Sequence, residues 1–286
     1  MIRLAAIDLG GHTALALVEG GRLRLLRDGA GSPVSPEVLF SAGASPIHVV
    51  ERLTPAEEIG DLGRPLEPPV ARPSKIIGIG KNYAAHAREM KSTERVVYFM
   101  KAPSALIGHL HYIEIPPFVA KPDYEGEVVI VIGKAVKNAT IREAQDSIAG
   151  FMAGNDVTAR DLQYDECMPW CLSKSVDTFS PIGPYLVLID DYDDLSGVCV
   201  ETRLNGEVVQ RGCPSEMTMS FAEIVSDLSR YMKLLPGDLI FTGTPPGVGH
   251  PRGRYLMDGD VVSVKVGDEA PLVNYVRRAG TQAPTY

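Results

Sequence analysis

Three acids in two short segments offer oxygen ligands to one hard cation. Glu125 and Glu127 lie in Asp123-Tyr124-Glu125-Gly126-Glu127, and Asp156 follows Asn155. Residues two apart on a strand share a face, and the apolar run Val128 to Ile132 reads as that strand. Ions such as Mg2+ take oxygen ligands in near-octahedral geometry and keep waters, so a two-plus-one carboxylate set leaves room for a substrate. On spacing alone, Glu125 and Glu127 read more readily as a charged, exposed strand edge. Asp156 changes that reading, because it ends an apolar strand just before an apparent helix, where functional side chains are often presented. The spacing does not match an EF-hand, which needs ligands at alternate positions and a Glu at the twelfth.

His86 and Glu89 are three apart in Tyr83-Ala84-Ala85-His86-Ala87-Arg88-Glu89 and so share one helix face. A carboxylate there can orient an imidazole that takes a proton from water, although a surface i, i+3 pair explains the spacing as well. Lys174 sits in a polar stretch where an ammonium could neutralise an enolate or carboxylate. The remaining histidines show no zinc spacing, and His109-Leu110-His111 lacks a third ligand nearby. Gly78-Ile79-Gly80-Lys81-Asn82-Tyr83 has Tyr where a dinucleotide loop needs Gly, Gly243 to Gly249 lacks the Lys-Ser/Thr of a P-loop, and no G-x-S-x-G elbow occurs.

These groups must be positioned by a chain of 286 residues, long enough for one large core or a main domain with a satellite. Hydrophobic residues at 45% and charged residues at 22% fit a globular protein, and 28 Gly with 22 Pro predict a turn-rich, β-rich fold. The net charge of -8 argues against nucleic-acid binding, which needs clustered Lys and Arg. No long apolar leader or membrane-length run is present, so a cytoplasmic protein with no membrane partner is expected. In that compartment the four Cys (167, 171, 199 and 213) are expected as reduced, structural thiols.

The pattern predicts a three-stranded meander over Ile2 to Leu9, Thr13 to Val18 and Arg22 to Leu26. Thr54-Pro55-Ala56-Glu57 carries an N-cap, a Pro at the first position and an acid at the third, and predicts a short helix. The stiff segment Arg64 to Pro73 reads as a linker, dividing a small domain (1–70) from a larger one (71–286). A strand over Lys75 to Ile79 and a helix over Ala84 to Lys91 follow. Thr140-Ile141-Arg142-Glu143 opens a helix expected to run to about Gly150. Asn205-Gly206 joins a hairpin, and Ser220 caps a helix whose apolar stripe is core.

In this order the segments resemble the fumarylacetoacetate hydrolase family, from about Lys75 to Val276. The landmarks are Gly80 to His86, Phe99-Met100-Lys101, Asp123 to Glu127, Asn155 to Asp161, Ser173-Lys174-Ser175, Leu204 to Glu207 and Phe241 to Pro245. The resemblance implies an α+β, β-rich fold, a mixed β-sandwich roll with a small β-rich N-terminal domain, in a homodimer. It implies a Mg2+ or Mn2+ site made by Glu125, Glu127 and Asp156. Lys101, Arg160, Gln163, Lys174 and the backbone around Thr244 are implied to grip the carboxylate or keto-enolate end of a small 2-oxo or diketo acid. His86 and Glu89 match a His-x-x-Glu dyad on a lid that activates water. The implied activity is hydrolysis of a carbon–carbon bond in a 1,3-diketo acid; decarboxylation of an oxaloacetate-like acid, isomerisation of a 2-hydroxydienoate and carboxylate binding without turnover are the alternatives. Two positions depart from the family pattern: Ser173 stands for Gly before the Lys, and Val176 for a frequent Phe.

Overall fold

The computed structural model describes residues 1–41, 45–93 and 95–280. Its spine is an eleven-stranded sheet in which ten strands neighbour one another in order. One side runs Thr54–Asp61, Arg22–Arg27, Thr13–Glu19, Ile2–Asp8 and Ser180–Leu188. The other continues through Ile148–Asn155, Gly126–Ile132, Leu239–Phe241, Ile76–Gly80 and Val97–Lys101. A five-stranded sheet, ordered Glu207–Gly212, Val200–Leu204, Val261–Val266, Leu272–Arg278 and Tyr112–Ile115, packs against it.

The Gly126–Ile132 strand is buried along its whole length. Its side chains alternate between two apolar clusters, as a period of two requires. Val128, Ile130 and Ile132 join the layer shared with Val200, Val262, Val264 and Val266 of the smaller sheet. Val129 and Val131 join Leu4, Leu15, Met152, Leu186 and Leu188 on the opposite side. A strand so enclosed cannot shift by one residue without turning both faces over, so the register that positions Glu127 is firmly set.

The β-rich α+β expectation agrees with this architecture, as do the meander, the helix starts capped by Thr140 and Ser220, and the hairpin. Asn205 and Gly206 take φ of 52° and 84°, the left-handed pair that a tight type I′ turn needs. Ser220 and Glu223 form the capping box of the Phe221–Tyr231 helix, with Ile224, Val225 and Leu228 buried but Tyr231 65% exposed. Three expectations are corrected. Thr54 to Glu57 is not helical but opens the Thr54–Asp61 strand, antiparallel to Arg22–Arg27, where Glu57 pairs with Arg27 at 2.5 Å and Glu58 with Arg22 at 3.1 Å. A cap signal worth about 1 kcal/mol is outweighed by a full ladder of strand pairing. The helix opened by Thr140 stops at Gln145, because Ile148 already pairs with Ile132. Cys199 and Cys213 form a disulfide, while Cys167 and Cys171 are free. The hairpin register that pairs Val200 with Gly212 brings the two half-cystines opposite one another, which spacing along the chain did not reveal.

Residues 2–61 supply four strands to the same sheet as the later segments, joined where Ile2 pairs with Leu188 and Leu4 with Leu186. Leu66 and Val70, inside the segment read as a linker, are buried. Among the described residues no helix is long and apolar enough to cross a membrane.

Candidate active site

Two neighbouring strands bring the acids together. Gly126 pairs with Asn155 and Glu127 with Gly154, and contact continues past the strand ends, where Asp156 N–H donates to the Glu125 carbonyl (2.8 Å) and Glu125 N–H to Asn155 Oδ1 (2.9 Å). One carboxylate oxygen from each of Glu125, Glu127 and Asp156 lies within 4.8 Å of the others. They are 5%, 2% and 0% exposed, which overturns the reading of an exposed strand edge. Gly126 between them faces the smaller sheet: a Cβ there would come within 1.9 Å of Thr202 Oγ1.

Three cations surround the acids. Lys174 Nζ, at the end of the Trp170–Lys174 helix, donates to Glu125 Oε2 (2.6 Å) and Asp156 Oδ2 (2.7 Å). Arg160 donates to Glu125 Oε1 (2.6 Å), Asp123 Oδ2 (2.9 Å) and Gln163 Oε1 (2.7 Å). Lys101 Nζ donates to Asp156 Oδ1, the Lys174 carbonyl (2.6 Å) and the Phe179 carbonyl (3.2 Å), so its three N–H groups are all engaged. Ser173, at the position where the family pattern has Gly, turns its hydroxyl back to the Trp170 carbonyl at 2.8 Å.

The charges decide what this cluster can bind. Asp123, Glu125, Glu127 and Asp156 face Lys101, Lys174 and Arg160, one acid more than there are cations. Burial pushes the Glu125 carboxyl up, but Lys174 and Arg160 overcome it and bring the group to about 2. Glu127 is raised well above the carboxylate range, by burial first and then by Asp156 and Glu125. Lys174 is raised, its two acids outweighing burial, whereas for Lys101 burial prevails and lowers it. An all-oxygen donor set, buried and crowded with like charge at Glu127, fits a hard divalent cation; that cation would share Glu125 and Asp156 with the Lys174 ammonium.

A cavity of about 330 Å³ opens beside the acids. Glu125, Glu127, Arg160, Gln163, Lys174, Thr244 and His86 line it, with Phe99, Tyr164 and Trp170 as aromatic wall. Asp156, Lys101 and Glu89 stand outside that lining, so the structure gathers all the expected residues but gives only some of them access to a ligand. A wider groove of about 1210 Å³, around Lys134, Arg142 and Asp190, contains none of them. His86 is buried, with Nδ1 3.6 Å from Glu89 Oε2, beyond a hydrogen bond. Burial raises the Glu89 carboxyl, but His86 and the Gly247 N–H outweigh it, so the group is lowered and stays ionised at neutral pH.

The backbone around Thr244 was expected to grip a substrate; that the loop from Gly243 to His250 also binds the acids of the site was missed. Gly243 N–H donates to Glu127 Oε2 (2.7 Å), Gly247 N–H to Glu89 (2.9 Å to Oε2) and Gly249 N–H to Asp123 Oδ1 (2.7 Å). It also missed Gln210, which accepts from Gly126 N–H (3.0 Å) and donates to Thr244 Oγ1 (2.8 Å), and Asn82, which donates to the Met219 and Thr242 carbonyls at 3.0 and 2.9 Å. The glycines in Gly243-Thr244-Pro245-Pro246-Gly247-Val248-Gly249 were the available signal for the loop. Gln210 had none, because its role depends on a sheet contact distant in sequence.

Residues 75–277 match the model of the fumarylacetoacetate (FAA) hydrolase C-terminal family. The chain is 34% identical over 292 residues to the mitochondrial oxaloacetate tautomerase FAHD2A of Bos taurus, covering 96% of this chain and 91% of the relative. Its fold is similar to the crystal structure of 5-carboxymethyl-2-hydroxymuconate delta-isomerase from Mycobacterium smegmatis, with TM-score 0.77, 33% identity and coverage of 98% and 100%. It is also similar to the fumarylacetoacetate hydrolase of psychrophilic Exiguobacterium antarcticum, with TM-score 0.78, 32% identity and coverage of 98% of this chain and 100% of that one. From matching motifs, matching fold and similarity along nearly its whole length, the chain belongs to the fumarylacetoacetate hydrolase family of enzymes.

Proposed function

We propose that this chain is a divalent-cation-dependent enzyme that transfers a proton on a short 2-oxo acid through its enolate, with keto–enol exchange of oxaloacetate as the reaction. The observation that carries the reading is a single cavity walled by two of the three clustered carboxylates, the Lys174 ammonium and His86. Similarity to an oxaloacetate tautomerase over 96% of the chain supports this ranking over hydrolysis.

Glu125, Glu127 and Asp156 would hold Mg2+ or Mn2+, which would polarise the 2-oxo group of the substrate and make its neighbouring C–H more acidic. Arg160 and Gln163 hold the substrate carboxylate; Arg160 has five N–H donors and spends three on protein groups, which leaves two for a ligand. Lys174 offsets the negative charge that develops on the 2-oxo oxygen when the C3 proton leaves. His86 accepts that proton and returns it to oxygen or carbon, and Glu89, fixed by Gly247 N–H, stabilises the imidazolium meanwhile. Lys101, with its donors engaged, positions Asp156.

A second reading, hydrolytic cleavage of a carbon–carbon bond in an acylpyruvate, is favoured by the proximity of Glu89 to His86, the pair needed to take a proton from water. Ultraviolet assays of oxaloacetate enol decay and of acetylpyruvate cleavage separate the two, and Mg2+ binding with turnover of neither supports a carboxylate-binding protein. His86→Ala is expected to lower the enzymatic rate about 100-fold or more. Mg2+ affinity by calorimetry should be retained; equal loss of Mg2+ affinity refutes the role given to His86.

A further inference from the structure

The lid helix Ala84–Glu89 is flanked by two lysines, Lys81 and Lys91, that the mechanism above does not use, and both line the active-site cavity. The other cations in that wall are already neutralised, Lys174 by Glu125 and Asp156 and Arg160 by Asp123 and Glu125. Lys81 and Lys91 are not: among the described residues neither is ion-paired with a carboxylate. Among the described residues Lys81 Nζ has a long hydrogen bond to Thr93 Oγ1 (3.4 Å) and stands 5.9 Å from the centroid of the Trp170 ring.

Their backbone adds a second observation. Lys81 and Lys91 have φ of 65° and 49°, in the left-handed region where glycine is the least costly residue. Lys91 follows the helix cap Met90, a position that usually carries Gly or Asn. A long cationic side chain stands at two places where the backbone favours having none. In a chain of net charge -8, that concentrates uncompensated positive charge at the cavity.

We infer that Lys81 and Lys91 form a second anion subsite, which receives the distal carboxylate of a 2-oxo diacid and makes the enzyme select diacids over acids with an uncharged far end. The inference rests on the 2-oxo acid reading above and names its substrate class. A ligand whose first carboxylate and 2-oxo group occupy the acids, Arg160 and Lys174 finds in Lys81 and Lys91 the cations still available for a second carboxylate. Because both flank the lid helix, the same contact would draw the lid, and His86 with it, onto a diacid.

Calorimetric titration of Mg2+-loaded protein with oxaloacetate and with 2-oxobutanoate reads the subsite directly, since a methyl in the second replaces the distal carboxylate of the first. The wild type should bind oxaloacetate about tenfold or more tightly relative to 2-oxobutanoate. Lys81→Gln and Lys91→Gln should each reduce that ratio, the double variant should bring it near one, and Lys91→Arg should restore it. Comparing the ratio removes any loss of folding that weakens both ligands alike. A wild-type ratio near one, a ratio unchanged in the double variant, or binding of neither ligand overturns the inference. Turnover is scored separately: a ratio without turnover of oxaloacetate sinks the proposed reaction and keeps the subsite, and turnover without a ratio does the reverse.

Discussion

His109 should make the fold acid-sensitive in a way that can be isolated. Its ring is buried, and its partners dictate its protonation: Val273 N–H donates to Nδ1 at 3.0 Å, while Nε2 faces the Leu62 carbonyl at 3.2 Å and must carry the hydrogen. The neutral ring therefore satisfies both neighbours, and a second ring proton would confront the Val273 N–H. Burial pushes the group from 6.5 down to about 4. The unfolded chain takes up this proton first, so the stabilisation is complete above about pH 6.5 and is lost progressively as pH falls towards 4. At about 1.4 kcal/mol per tenfold change in proton affinity, the whole interval amounts to about 3 kcal/mol, most of it between pH 6.5 and 4.5. Urea unfolding at pH 7 and pH 4.5 measures it against His109→Gln, whose amide can donate to Leu62 and accept from Val273 without titrating. The wild type should lose about 2 to 3 kcal/mol more than the variant over that range, other titrating groups cancelling in the difference. Parallel losses in the two proteins would refute the argument.

Two further outcomes test the site and its support. Glu127→Gln removes one of the three clustered carboxylates while nearly keeping its shape, and should weaken Mg2+ binding by about tenfold or more, read by calorimetry, with melting temperature little changed. Gly126→Ala drives a methyl to within 1.9 Å of Thr202 Oγ1, and should destabilise the protein by about 1 to 3 kcal/mol in chemical unfolding; adding Thr202→Ala should return part of that loss.

What could be read in the sequence depended on whether a signal was local. The capping boxes at Thr140 and Ser220, the Asn205-Gly206 turn and the apolar run Val128 to Ile132 involve groups a few residues apart, and each is present. Thr54 to Glu57 failed because a local cap competed with a sheet partner about 30 residues away, at Arg22–Arg27. The candidate site was legible as residue types, since Glu125, Glu127, Asp156, Lys174, Arg160 and His86 meet. Its hierarchy was not: that Lys101 is fully engaged and that Lys81 and Lys91 have no ion pair among the described residues follow only from three-dimensional neighbours. The cystine at Cys199 and Cys213 was hidden for the same reason, since it depends on strand register.

The loop from Gly243 to His250 has a consequence for how this enzyme would be dissected. Its glycine N–H groups touch Glu127 of the acid cluster, Glu89 beside His86 and Asp123, the acid that anchors Arg160. In each contact the donor is a backbone N–H, so no side-chain replacement within the loop can delete it. Gly247 has φ of 112° and Gly249 would bring a Cβ within 1.8 Å of the Arg254 carbonyl, so a Gly→Ala loss at either would be scored as damaged packing. An alanine scan would thus credit the chemistry to residues that project into the cavity and leave unmarked the segment that couples them. Replacing single amides by esters, which removes the donor and keeps the shape, is the perturbation that would expose it.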